Sequence, residues 1–475
     1  MIMKTLFKTL LATMIVVAGC QSIDLSMVHE IQNQDNAASL ISSSMKVTTD
    51  LVETYLKGFK GVVATRVSDV TVDPVMNGSD TVMYLVNYPE GGWELLSADK
   101  RIPTRLMVGE TGSMTIDQIE EHPGMSILLD DMRKQISTVK QSKQTEPVTE
   151  KGVLWNYIAS DIPETKSGDI LWNLYNTEVV YLDSTDVRHL TKTHWGQSSN
   201  GVGRWFNRFV PYKNSSKINN SDGRCVVGCA PVAAGQMLVY LLTKIGVTTN
   251  CTFSECMCES YIPDGDTSVG YGENFIPNVS TYMSYGTYWN YVRGITGTIE
   301  EQDKTISVLL SRLGYLMKAT YRYYWDNEKN KYVKETSVYP DKFEEVFEEE
   351  YDISCECIDW NTGVVSSQIS VDKMPVIVFA YNETGAGHSW IVDGYYHMCT
   401  VVNYHYVGID PSTHQPVYKT IQSLGDCEEF FTMNWGWFGS GDNGQYYVDS
   451  STWKVNDKQL PLRYNRQIVY GFSRN

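Results

Sequence analysis

The C-terminal half of this chain is predicted to fold as an α+β domain, because helical patterns come first and strand patterns follow. Apolar residues recur at helical spacing from Cys229 to about Lys244 and from Thr298 to Met317. Short apolar runs typical of strands come later, at Met374–Ala380, Ser389–Asp393, Phe430–Asn434 and Gln445–Val448. A cleft between a helical half and an antiparallel sheet half is where side chains from both can meet.

The N-terminal half shows a second, smaller α+β pattern. Helical spacing runs from Ser44 to Lys57, and the strand patterns Val82–Tyr88 and Trp93–Ser97 flank a Pro-Glu-Gly-Gly turn typical of a hairpin. Residues Thr115–Thr138 are helical in pattern, with a break near His122–Gly124. These features predict a small domain ahead of the C-terminal one.

The composition changes at residues 140–152, which are polar, charged and nearly free of apolar side chains. Such a stretch is typical of an exposed linker that is easily cut. We therefore predict an export signal at 1–19, a tether at 20–45, an N-terminal domain with this linker at 46–180, and a C-terminal domain at 181–475.

The first 20 residues are typical of an export signal. Lys4 and Lys8 precede an apolar run, Leu10–Val17, that is far shorter than the roughly 20 residues needed to span a bilayer. Small residues then precede Cys20, as in bacterial lipoproteins, where the cysteine is acylated; an ordinary signal peptide with an incidental cysteine is the alternative. Gln21 follows, which by resemblance to bacterial sorting rules favours the outer membrane. We expect a lipoprotein that faces the periplasm or the cell surface, or is released after processing.

The charge and the cysteine content limit the function classes. A net charge of −17 opposes nucleic-acid binding, which needs a basic surface. Apart from Cys20 and Cys229, eight cysteines remain, and an oxidising compartment allows them to form disulfides. Zinc binding and buried free thiols are the alternatives, but the Cys-x-Cys pairs at 256–258 and 355–357 lack the spacer usual for zinc. We expect neither a metal nor an organic cofactor.

Three residues far apart in the sequence indicate nucleophilic catalysis. Cys229 follows Gly228 and opens a predicted helix, whose N-terminus favours a thiolate. His388 precedes a predicted strand and is the candidate general acid and base, while Asn434 in an Asn-Trp-Gly-Trp turn is the candidate that orients it. The alternatives are a cysteine paired with Cys225, a half-buried strand histidine and a turn that only packs.

Two further residues complete the predicted site. The Gln197 side chain and the Cys229 backbone N–H are candidate donors to an oxyanion, and the alternative for Gln197 is a solvated surface side chain. Trp435 is expected to shield the bond between His388 and Asn434 from water.

Together these segments resemble the streptopain family of papain-like cysteine proteases, which bacteria secrete. The resemblance is carried by Thr193–Gln197, Gly228–Tyr240, Pro375–Tyr395 and Asn434–Gly439, and Tyr84–Pro103 resembles the family's inhibitory propeptide. The chain departs from the family at Ala230–Ala233, at Ala386 and in its many cysteines.

The resemblance implies a papain-like fold and an endopeptidase made as an inactive zymogen. Its partners would be protein or peptide substrates and its own propeptide, and only an N-terminal lipid would contact a membrane. Two alternatives stay open: a catalytically silent binding protein or adhesin with this fold, and a papain-like acyltransferase or amidohydrolase.

Overall fold

The computed structural model describes most of the chain after residue 44. The described residues are 45–58, 69–148, 155, 166–167, 170–171, 173–201, 203–213, 223–246, 262, 267–270, 285–327, 330–381, 387–441, 444–447, 453–456, 458–459 and 466–474. The predicted export signal, the tether with Cys20, and Cys251, Cys256 and Cys258 lie outside them. Within these ranges no helix is long and apolar enough to cross a membrane.

Helices occur in both halves of the chain. They are α1 (Thr49–Gly58), α2 (Ile116–Glu121), α3 (Pro123–Gln141), α4 (Cys229–Lys244), α5 (Tyr285–Val292), α6 (Ile299–Leu316), α7 (Lys342–Tyr351) and α8 (Thr362–Ser367), which continues as a π-helical turn, Gln368–Asp372. The break predicted near His122 is where α2 ends and α3 begins. His122 caps α3, since its Nδ1 accepts a hydrogen bond from the Met125 N–H, and Pro123 occupies the first turn, where no N–H is needed.

The strands are mostly antiparallel neighbours in one large sheet. They are β1 (Thr71–Asn77), β2 (Asp80–Asn87), β3 (Trp93–Ser97), β4 (Arg105–Gly109), β5 (Lys166–Ser167), β6 (Ile170–Leu171), β7 (Asn173–Val187), β8 (Ser268–Gly270), β9 (Thr320–Asp326), β10 (Lys331–Ser337), β11 (Ile353–Asp359), β12 (Val376–Tyr381), β13 (Gly387–Ile409), β14 (Pro416–Asn434), β15 (Gly444–Tyr446), β16 (Lys454–Val455), β17 (Lys458–Gln459) and β18 (Arg466–Arg474). The large sheet has the order β1-β2-β3-β4-β15-β14-β13-β12-β18-β11, and β7 pairs with β13. Helices with a mainly antiparallel sheet confirm the predicted α+β class.

The two faces of the large sheet belong to different hydrophobic clusters. Successive side chains of a strand point to opposite faces. Val376 and Val378 of β12 therefore join a cluster with α3, whereas Ile377 and Phe379 join a second cluster with α4, α6 and α7. We call these the α3 face and the α4 face of the sheet.

The N-terminal strands and α3 are packed directly onto the C-terminal half. Strand β4 pairs with β15, which joins the two halves of the chain in one sheet. Asp131 of α3 forms an ion pair of 2.6 Å with Arg466 of β18, and both side chains are buried. Because a buried charge left without its partner is costly, this pair favours a docked N-terminal segment.

The central strands are longer than the sequence pattern predicts. Strand β13 runs from Gly387 to Ile409 and pairs with β14 and β7, so the three strands form a ribbon beyond the core of the sheet. A disulfide between Cys399 and Cys427 links β13 to β14. Among the described cysteines, Cys229, Cys355 and Cys357 are free thiols.

The region predicted as a linker has structure where it is described. Helix α3 extends to Gln141, and Val148 is buried with its N–H bonded to the Arg101 carbonyl. Although residues 140–148 are mostly polar, Val148 thus anchors this stretch to the rest of the chain. The predicted boundary at 180 falls within β7.

Candidate active site

Cys229 lies at the N-terminus of α4, as the sequence predicts. Gly228 precedes it with φ of 101°, a conformation that side chains other than glycine rarely adopt. A Cβ on Gly228 would lie 2.7 Å from Thr336 Cγ2, so the close approach of β10 also requires glycine. No side chain caps the helix, and the backbone N–H groups of Cys229 and Ala230 at its start interact with the thiol instead.

The Cys229 thiol is partly buried beside the strand that carries His388. Burial raises the pKa of the thiol, and hydrogen bonds with the backbone and side chain of Ser389 and with the start of the helix act in the opposite direction. Burial has the larger effect, so the thiol form is favoured over the thiolate in this structure.

His388 is buried on the α3 face of the sheet. Its Nε2 donates a hydrogen bond of 2.9 Å to the carbonyl of Trp435, and its ring stacks on Trp390 with centroids 6.0 Å apart. Burial lowers the pKa of His388 to about 4, although the bond to the Trp435 carbonyl acts in the opposite direction. The imidazole is therefore neutral at physiological pH.

The alternation of side chains along β13 separates His388 from Cys229. Trp390 lies in the cluster of the α3 face, and Ile391 lies in the cluster of the α4 face. By the same period of two, His388 shares the face of Trp390, while Ser389 points towards the helix that carries the thiol. The structure thus brings the thiol next to the histidine strand but leaves the ring on the other face.

The structure contradicts the predicted bond between Asn434 and His388. Asn434 Nδ2 donates to the Thr193 carbonyl at 2.6 Å and to Thr191 Oγ1 at 3.0 Å, and Asn434 Oδ1 accepts from Gln236 Nε2 at 3.0 Å. The physical reason is strand register. Asn434 pairs with Ile391, so its side chain projects from the α4 face, away from the ring. The group that holds His388 is the backbone carbonyl of the next residue, Trp435.

Gln197 and Trp435 both lie near the predicted site. The Gln197 carbonyl accepts a hydrogen bond of 2.8 Å from the N–H of Val227, two residues before Cys229, and Gln197 is 8% exposed rather than solvated. The Trp435 ring is fully buried and packs against Trp390 at 5.1 Å. In this structure Asn434 bonds to other partners, so there is no bond between Asn434 and His388 for the ring to shield, and the shielding role stays a prediction.

Sequence reasoning missed two residues of the N-terminal segment that lie at the site. Gly124 is in such close contact that a Cβ there would lie 2.2 Å from Trp435 Cε3 and 3.1 Å from His388 Cδ2. His122 packs edge-on against Trp435 at 5.4 Å and bonds through Nε2 to the Ser440 carbonyl at 3.2 Å. The interruption in the helical pattern was the available signal, because it marks where the chain turns towards the site.

His122 and His388 also interact electrostatically. Burial and the nearby His388 lower the pKa of His122 to about 4. Both rings are thus held neutral in this buried contact between the two halves of the chain.

The described residues contain no cluster of histidine, cysteine and carboxylate side chains that could hold a metal ion. The reactive groups that the structure shows at this site are the Cys229 thiol, the His388 imidazole and backbone N–H donors.

Comparison with known proteins identifies the family. The model of the Peptidase C10 family matches residues 201–447, more than half of the chain. The chain belongs to the Peptidase C10 family. The resemblance to the streptopain family is thereby confirmed, and the protein is a cysteine-type peptidase with an α+β fold. The match includes Cys229, His388 and Asn434, and Gln197 lies just ahead of it.

A search of solved structures matched a fragment of Prevotella intermedia prointerpain A that carries a cysteine-to-alanine substitution. The two chains are 16% identical with a TM-score of 0.47, and the match covers 84% of this chain and 98% of that one. No curated protein matched the sequence.

Proposed function

We propose that this C10 peptidase is made as an inactive zymogen and hydrolyses peptide bonds within proteins, with Cys229 as the nucleophile. One observation carries the proposal. The only described free thiol that opens a helix lies beside Ser389, directly next to His388 in the strand. A rearrangement of the start of β13 that brings the His388 ring to the α4 face would place a base beside the thiol, as nucleophilic catalysis requires.

The contacts of the N-terminal segment support latency. Gly124 and His122 cover the α3 face at His388, where the ring is neutral and bonded to the Trp435 carbonyl. Release of this segment would expose the ring to water, and its pKa would rise towards the ordinary value. A protonated imidazole could then move towards Cys229 and stabilise a thiolate.

The proposed reaction then follows two steps. The Cys229 thiolate forms a bond to the peptide carbonyl carbon, and the oxyanion receives hydrogen bonds from the Cys229 N–H and the Gln197 amide. His388 gives its proton to the leaving amine as the C–N bond breaks, and it then takes a proton from the water that hydrolyses the thioester. In the docked state the Trp435 carbonyl holds His388 on the α3 face, and this bond breaks when the ring moves towards Cys229.

The test is inhibition of the processed protein by a thiol-directed epoxide. We expect casein hydrolysis to stop when one equivalent of epoxide has reacted. The same sample should leave peptidoglycan fragments intact, because no observation on the site favours them over a peptide. Cleavage of peptidoglycan with casein left intact would favour the amidohydrolase, and epoxide uptake without any hydrolysis would favour a silent binding protein.

Acid is expected to weaken the docking of the N-terminal segment. His122 has a pKa of about 4 in the docked state and an ordinary pKa near 6.5 when exposed, so the exposed state binds more protons between these values. The contribution of His122 to the free energy of docking is therefore fully present above about pH 6.5. It falls as the pH decreases towards 4, by up to roughly 1.4 kcal/mol per pH unit. The thermal midpoint of the uncleaved Cys229→Ala chain measures this dependence.

The control for this experiment is His122→Asn, which keeps an N-cap acceptor for Met125 but does not titrate. The fall in midpoint between pH 6.5 and 4.5 should be smaller in His122→Asn. Identical pH profiles for the two chains would show that His122 does not sense pH.

For localisation we propose export and anchoring through a lipid on Cys20. The support is the sequence pattern of a basic start, a short apolar run and small residues before that cysteine. Metabolic labelling with a fatty acid, compared between the natural chain and Cys20→Ala, tests the anchor.

A further inference from the structure

The buried amide of Gln236 lies where three segments of the proposed site meet. Gln236 is on α4, seven residues after Cys229, which is two turns of the helix or about 10 Å along its axis. Its Oε1 accepts a hydrogen bond of 3.0 Å from the N–H of Trp195, in the segment that carries Gln197. Its Nε2 donates at 3.0 Å to Oδ1 of Asn434, which precedes Trp435.

Backbone groups fix the orientation of both amides in this contact. The Trp195 N–H can only donate, so the Gln236 oxygen must face it and the Gln236 nitrogen must face Asn434. On the other side, the Gly436 N–H donates to Asn434 Oδ1 at 3.3 Å and the Thr193 carbonyl accepts from Nδ2 at 2.6 Å. Neither amide can turn over without losing a backbone partner.

The network continues from Asn434 to the histidine strand. Asn434 Nδ2 donates to Thr191 Oγ1, and Thr191 Oγ1 donates at 2.5 Å to the buried carboxylate of Asp393, five residues after His388 in β13. The turn after Asn434 also packs tightly on α4, since a Cβ on Gly436 would lie 3.0 Å from Val232 Cγ1.

We infer that Gln236 is a positioning residue for peptide hydrolysis, which sets Gln197 and the turn that begins at Asn434 in place relative to Cys229. It acts through Trp195 and Asn434 and touches no reacting atom. The inference rests on the proposed function, because that function assigns the oxyanion donor to Gln197 in one of these segments. A buried amide with all its groups satisfied is well suited to this role, because displacement of any one segment would leave polar groups unpaired.

The test compares kcat and KM of processed wild-type and variant enzymes on a fluorogenic peptide. Gln236→Met keeps the side-chain length but removes both hydrogen bonds. We expect kcat to fall about 100-fold, the size of effect that a displacement of about 1 Å has on a catalytic group. KM should stay within about threefold, and the rate of Cys229 alkylation by iodoacetamide should change little, because the thiol and its helix remain.

Two further variants keep this test decisive. Gln236→Glu keeps the acceptor for the Trp195 N–H and loses only the donor to Asn434, so it reports on the network even if Gln236→Met does not fold. We expect a lower kcat here as well. Thr305→Val is the matched control, since Thr305 is a buried polar residue of α6 that bonds to its own helix. It should keep the wild-type kcat.

The outcomes separate the inference from the proposed function. A folded Gln236→Met or Gln236→Glu enzyme with kcat within threefold of wild type, in a protein whose Cys229→Ala variant is inactive, overturns the positioning role alone. A Gln236 variant whose KM rises while its kcat stays unchanged also overturns the positioning role. If the wild-type protein shows no peptidase activity that depends on Cys229, both the inference and the proposed function fail.

Discussion

The Cys229→Ala variant is expected to lose peptidase activity by a factor on the order of 10⁶, which is the effect of removing the nucleophile from a hydrolase that forms an acyl-enzyme. No other described free thiol opens a helix, so no other described group can replace it. Casein hydrolysis and the size of the purified chain are measured together. We expect a chain that remains uncut, because processing by its own site requires the same thiolate.

Cys225→Ala is the matched control for this variant. Cys225 is a buried cysteine four residues before Cys229, and its loss removes a sulfur from the same region without touching the helix N-terminus. We expect Cys225→Ala to keep activity and processing. Self-processing by the Cys229→Ala chain, or equal losses in the two variants, would refute the assignment of the nucleophile.

The Gly124→Ala variant is expected to reduce latency. A Cβ at Gly124 would lie 2.2 Å from Trp435 Cε3, so even the smallest side chain cannot fit while the segment is docked. Overpacking in a well-packed interior costs about 1–3 kcal/mol, which corresponds to roughly 5- to 150-fold more of the undocked state. The initial rate of peptide hydrolysis by the uncleaved precursor should rise by a factor in this range.

Gly286→Ala is the control, because Gly286 is a helical glycine in α5 with open space around it. Its latency should match that of the natural chain. A Gly124→Ala precursor that folds and stays as inactive as wild type would show that the contact with Trp435 does not maintain latency.

The helix at Cys229 could be predicted from the sequence because its signals are local. Glycine before the first turn, proline inside it and apolar spacing along it all depend on neighbouring residues, and the helix lies at Cys229–Lys244 as predicted. The break at His122 could likewise be predicted from the sequence, since proline ends a helical pattern.

The partner of His388 could not be predicted, because it depends on the register between β13 and β14. Side chains alternate between faces, so Asn434 opposite Ile391 cannot reach a ring on the other face. A sequence motif specifies residue types, but it does not show to which face of the sheet each side chain projects. The contact of Gly124 with Trp435 could not be predicted either, because a glycine in a sequence gives no indication of its partner elsewhere in the fold.

The length of the ribbon formed by β13, β14 and β7 could not be predicted from the sequence either. The residues of β13 beyond Asp393 are mixed in polarity, and β7 covers them by pairing along one edge. Such a strand is stabilised by its neighbours rather than by its own propensity. The pairing of Cys399 with Cys427 follows from this register and not from spacing, because eight cysteines allow many pairings.

The most direct test of the central claim is to locate the adduct of a thiol-directed epoxide by mass spectrometry, before and after processing of the natural chain. We predict a single adduct on Cys229 that forms fast in the processed enzyme and much more slowly in the precursor, where burial keeps the thiol protonated and His388 lies on the other face of the sheet. An adduct on another cysteine that abolishes activity, with Cys229 unmodified, would contradict the account.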